Sequence, residues 1–195
     1  MTTTPLLAHA VGHTIIRAVL GDHESGLEID GNPSWARDYV SDCNAGTSWS
    51  APEIFRFHLS EYVGLFLNQL CITVSGYVGE YVFHEADSLI CGTATAWTRS
   101  GRVDLFDAYS LCEQYIDTHG KSTEAVLEAC MEIVETTLRK YQSVAERLFE
   151  ILLHERSVTG YRFAALLASI AEENLASLVC ERVGMPPCLD FTEEE

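Results

Sequence analysis

The sequence predicts a mainly α-helical domain (α+β), one unit over residues 1–195, with a small β element beside its first helix. Three observations predict it. Most of the chain carries apolar residues at helical intervals, whereas only Ser25–Asp30 alternates apolar and polar residues as a strand does. The composition, 47% hydrophobic and 21% charged, is that of a globular chain able to bury one core. No apolar run reaches the ~18 residues of a membrane span.

The elements follow in order. Leu6–Leu20 is apolar almost all round, with Thr4 as N-cap, Pro5 at the first helical position and Gly21 to end it. Leu27 and Ile29 alternate with polar neighbours, and Asp30-Gly31-Asn32-Pro33 turns the chain. Residues 31–52, rich in Gly, Ser, Asn, Asp and Pro, read as an ordered or substrate-covering loop or a mobile flap. Trp35, Tyr39 and Trp49 suit pinning the loop and lining a substrate groove equally. From Pro52 the pattern is helical through Ile54, Phe57, Val63, Phe66, Leu67 and Leu70. It continues over Gly76–Phe83, where glycines mark close packing contacts. Residues 85–101 read as irregular, Asp104–His119 as a helix, and Ser122–Glu155 as the longest helix, capped by Ser122. Ser157–Gly160 reads as a connection and Tyr161–Glu181 as the last helix, broken by Gly184 and the prolines after it. Residues 188–195 read as a flexible acidic tail.

A formal net charge of −17 argues against nucleic acid as a partner, because phosphate binding needs Lys and Arg to release counterions. The seven cysteines are scattered, with no C-x-x-C pair, and most of them read as buried free thiols in a reducing compartment. With no positive charge before Leu6 there is no sign of a secretory signal, and the expected location is cytoplasmic.

His9-Ala10-Val11-Gly12-His13 is the stretch that carries chemistry. Histidines at i and i+4 lie one above the other on a helix, so both imidazoles can reach one metal ion. A buried helix does not carry two imidazoles on one stripe without partners. The partners are either a metal ion or core carbonyls. The spacing is that of the zinc-protease motif H-E-x-x-H, with Ala10 where that motif has its general-base Glu. A catalytic zinc site needs a third protein ligand and an open position, and composition alone does not choose the third. His84 and His154 sit at helix ends, where an imidazole needs no ligand role.

Ala8-His9-Ala10-Val11-Gly12-His13 resembles the A-H-E-A-G-H signature of FtsH-type zinc metallopeptidases. Gly76-Tyr77-Val78-Gly79-Glu80-Tyr81-Val82-Phe83 is similar to that family's G-x-x-A-E-x-x-x-F helix, and Val103-Asp104-Leu105-Phe106-Asp107-Ala108 resembles its N-D-L-x-x-A segment. The long helix from Ser122 and the Glu155–Gly160 passage into the last helix match the family's C-terminal helices in order. The resemblance implies a helical metallopeptidase domain with Zn2+ held by His9, His13 and Asp104. It makes Glu80 a carboxylate that orients a histidine ligand, whereas on its own residues Glu80 fits a solvent-facing helix position equally well. Read on its own residues, Asp104 fits an N-cap better than a ligand, and only the resemblance lifts the ligand role.

Two departures shape the functional expectation. No G-x-x-x-x-G-K-[ST] occurs, so the ATPase module of the family would have to be a separate partner. In the family's mechanism the Glu takes a proton from water and passes it to the leaving amine, and the methyl of Ala10 does neither. The loss is of order 10²–10⁴ in rate, so the chain is expected to be near-inactive. Ala10 is either an engineered change in an active H-E-V-G-H parent or the mark of a natural pseudopeptidase. The expected activity is zinc-dependent hydrolysis of polypeptide, the peptide being held as an added strand on the β element. The alternative is a non-catalytic, zinc-stabilised regulatory protein that binds peptides or proteins. Self-association into a homo-oligomer is expected by analogy with the family's rings.

Overall fold

A computed structural model describes residues 5–21, 26–28, 63–84, 99–116 and 121–185. The expected cap at Thr4, the aromatic-bearing stretch 31–52, the helical pattern from Pro52 to residue 62 and the acidic tail 188–195 lie outside them. The described residues are mostly helical, with one small antiparallel sheet. In chain order they form α1 (Pro5–Val19), β1 (Gly26–Glu28), α2 (Val63–Phe83), α3 (Arg99–Ile116) and α4 (Thr123–Lys140). Then come α5 (Gln142–Glu155), β2 (Ser157–Thr159), α6 (Gly160–Leu167) and α7 (Leu175–Val183). No described helix is long and apolar enough to cross a membrane.

α1 is buried along nearly its whole length, as its all-round apolar pattern requires; only Pro5, His13 and Arg17 are half-exposed. Gly21, at φ +77°, ends it in the left-handed region that glycine reaches without strain. α1 packs most extensively on α2, and the crossing is set by two glycines. A Cβ on Gly12 would lie 2.3 Å from the Ser75 carbonyl oxygen, and one on Gly79 would lie 2.6 Å from that of Ala8. The two backbones touch there with no side chain between them.

α3 departs from the expected boundaries. It starts at Arg99, inside the stretch read as irregular, so Asp104 lies in the second turn and is not an N-cap. Arg99-Ser100-Gly101-Arg102 has no apolar periodicity to announce a helix. What shows instead is Gly101 packed on Glu80 of α2, where a Cβ would come within 2.5 Å of Oε1.

The long helix expected over Ser122–Glu155 is two helices. Ser122 caps α4 as expected, accepting from the Ala125 amide, but Tyr141 interrupts the run at φ −102°, ψ 23°. Its hydroxyl accepts from the Ala171 amide at 3.1 Å and donates to Glu173 at 3.1 Å. A side chain recruited by a distant loop fixes the break, which no local pattern encodes. The last helix is likewise divided into α6 and α7, where Asn174 caps α7 by accepting from the Ser177 amide. Gly184 ends α7 at φ +63°, and the Met185 amide closes back on the Cys180 carbonyl. Ser157–Thr159, expected as a connection, is strand β2. It pairs with β1 so that buried Leu27 faces buried Val158.

The described helices share one hydrophobic core, into which α2, α3, α4 and α7 each turn a buried free cysteine: Cys71, Cys112, Cys130 and Cys180. Burial pushes the Cys112 thiol up to about 12. Thiolate is the reactive form, so Cys112 is expected to stay unalkylated by iodoacetamide at pH 8 and to react in denaturant. Site-resolved mass spectrometry reads this directly, and rapid labelling of the native chain would contradict it.

Candidate metal centre

The crossing of α1 on α2 places the site. His9 and His13 lie one turn apart on α1, and both side chains turn towards α2. His9 Nδ1 donates to Glu80 Oε1 at 2.9 Å; both side chains are buried. His13 Nδ1 lies 3.0 Å from the Ile72 carbonyl and 2.9 Å from Ser75 Oγ, which itself donates to that carbonyl at 2.7 Å. With a carboxylate and a carbonyl as their partners, both Nδ1 atoms carry the proton. In the neutral rings the Nε2 atoms are then bare acceptors.

Those two acceptors face one another at 3.2 Å. α3 adds a third donor atom of electron pairs, since Asp104 Oδ2 lies 3.2 Å from His13 Nε2 and 3.5 Å from His9 Nε2. Oδ2 is buried and has no hydrogen-bond partner among the described residues. Three lone-pair donors brought together on the same spot repel one another unless a cation sits among them. His9, His13 and Asp104 form a group that could hold a metal ion. The donor set, two imidazoles and a carboxylate, suits a divalent transition metal better than calcium or magnesium, which prefer oxygen alone.

The same neighbourhood acts on Asp107, one turn beyond Asp104. Partial desolvation, and then the charge of Asp104, hold its carboxyl above the ordinary aspartate value.

The five site positions singled out in the sequence all lie among the described residues. His9, His13 and Asp104 come together from two helices distant in sequence. Glu80 is 1% exposed and hydrogen-bonded to His9, so it is not a solvent-facing helix residue. Ala10 packs in the hydrophobic core at 1% exposure, next to His9 on α1. Sequence reasoning missed three contributors. The Ile72 carbonyl and Ser75 orient His13, and Gly76 faces the donor atoms across α2. A backbone carbonyl leaves no mark in a sequence. Gly76 shows itself in the sequence as a close packing contact and as the first residue of the segment similar to G-x-x-A-E-x-x-x-F, with nothing to say that it faces donor atoms.

No protein-family model matches this sequence, and no curated protein matches it.

Proposed function

We propose that this chain is a zinc-binding domain of the FtsH-like metallopeptidase type, directed at polypeptide and disabled for hydrolysis at Ala10. The observation that carries the reading is the triangle of donor atoms. A tetrahedral zinc ion with bonds of ~2.0–2.1 Å sets its ligand atoms about 3.3–3.4 Å apart. The separations here are 3.2, 3.2 and 3.5 Å. Three protein ligands also leave the fourth position open, as in catalytic zinc sites.

Zinc bound there would polarise a peptide carbonyl and lower the pKa of a water. The chain's own residues do the rest of the work. Glu80 and the Ile72 carbonyl hold the two Nδ1 protons, fix both ring orientations and make the Nε2 atoms stronger ligands. Glu80→Gln keeps an acceptor for His9 but removes the negative charge behind it. It is expected to weaken zinc affinity about 10-fold, read by competition with a chromophoric chelator. Unchanged affinity would remove Glu80 from the ligand-orienting role.

What the site lacks is a proton acceptor at position 10, where a methyl group packs in the core. That same observation favours a second reading, a zinc-stabilised protein that binds peptides without cutting them. Four free, buried cysteines suit a reducing compartment, and the proposal puts the chain in the cytoplasm. A separate ATPase partner and self-association belong to the proposal through the family resemblance.

The test compares the chain with its Ala10→Glu variant, both zinc-loaded, on a labelled unfolded protein such as casein. Cleavage by the variant alone is expected. Cleavage by neither would leave the non-catalytic binding protein as the reading.

A further inference from the structure

Besides Gly64 in its first turn, α2 carries Gly76 and Gly79 in its interior, and a glycine inside a helix costs stability relative to alanine, so each of these two needs a reason. Gly79 has one in packing. Its missing side chain lets α1 approach, and an added Cβ would strike the Ala8 carbonyl oxygen and the Gly12 backbone. Gly76 has no such reason. The three atoms nearest to a Cβ placed on it are all side-chain ends. They are His13 Nε2 at 2.4 Å, His9 Cε1 at 2.5 Å and Asp104 Oδ2 at 2.6 Å. Two of these are donor atoms of the metal-binding group, and the third is the ring carbon bonded to the remaining donor.

We infer that Gly76 is a positioning residue of the metal centre: its missing side chain is the room on the α2 side in which the three donors converge on an ion. This rests on the zinc reading above and adds to it a residue that touches no proton and supplies no ligand. A methyl group at position 76 cannot coordinate, and it fills the space towards which Nε2 of His13 and Oδ2 of Asp104 point. The imidazoles have little freedom to retreat. His9 is held at Nδ1 by Glu80, and His13 is held at Nδ1 by the Ile72 carbonyl and Ser75. Retreat therefore breaks those bonds or spreads the donors beyond one ion's reach. The fold is spared, because what must move are the ends of side chains, whereas at Gly79 it would be backbone.

The experiment uses the full chain, its Gly76→Ala variant and a His13→Ala variant. Far-UV circular dichroism in EDTA reads the fold. Zinc titration against a chromophoric chelator reads affinity, and the visible spectrum of the cobalt(II)-loaded protein reads tetrahedral coordination. Gly76→Ala is expected to fold like the parent without metal, to bind zinc about 10–100-fold more weakly and to lose the tetrahedral cobalt spectrum. Parent-like affinity and spectrum in Gly76→Ala would overturn the inference and leave the metal centre standing. Failure of Gly76→Ala to fold in EDTA would also overturn it, by assigning Gly76 to helix packing. A parent chain that binds no zinc at all, indistinguishable from His13→Ala, would remove the metal reading and this inference together.

Discussion

Ala10→Glu is expected to raise zinc-dependent cleavage of an unfolded protein by about 10²–10⁴-fold over the chain as it stands. The expectation follows from what is in place and what is missing. Two oriented imidazoles and a carboxylate converge on one spot, yet position 10 offers no group to take a proton. On a helix, residue 10 neighbours His13 at i, i+3, within reach of whatever that imidazole ligates. The substitution carries a cost. Ala10 is 1% exposed, so a carboxylate there has to displace packed neighbours and is unsatisfied until zinc and water are present. The variant should therefore melt lower than the parent without metal and gain more from added zinc. Ala10→Gln, of nearly the same size as Glu but unable to take the proton, should show no gain in turnover. Equal turnover in the Gln and Glu variants would contradict general-base catalysis from this position.

Gly12→Ala is expected to destabilise the fold by about 2 kcal/mol net, from an overpacking cost at the ~3 kcal/mol upper end of what one methyl causes. The methyl would meet the Ser75 carbonyl oxygen at 2.3 Å and Gly79 Cα at 3.0 Å, and both are backbone. A helix-propensity gain of up to ~1 kcal/mol from replacing glycine offsets only part of this. Since the α1–α2 crossing carries both histidines to Glu80 and Ile72, the variant should also bind zinc less well. Urea unfolding, followed by circular dichroism, gives the change as a lower midpoint. An unchanged midpoint would mean that the two helices do not cross backbone to backbone.

How much of this was legible in the sequence depended on whether the determinant was local. The His9/His13 stripe, the caps at Ser122 and Gly184 and the burial of α1 follow from spacing and residue type within one helix. β1 was legible from its alternation, but its partner Ser157–Thr159 is too short to show a period, and only pairing with Gly26–Glu28 makes it a strand. The breaks at Tyr141 and between α6 and α7 depend on hydrogen bonds between residues some thirty positions apart, such as Tyr141 to Ala171 and Glu173. At the site, Asp104 could be read as a cap or as a ligand until the start of α3 at Arg99 put it inside the helix. The bond from Glu80 to His9 spans 71 residues, and residue types alone do not report it. Gly76 was legible as a close contact, but what it contacts comes from two other helices.

The most direct test of the metal centre is the zinc content of the chain purified without chelator or metal-affinity resin, beside His13→Ala prepared in the same way. The arrangement of His9, His13 and Asp104 predicts about one zinc per chain in the parent and its loss in the variant. No zinc in either protein, even after reconstitution with zinc under reducing conditions, would contradict it and make the two histidines ordinary core residues.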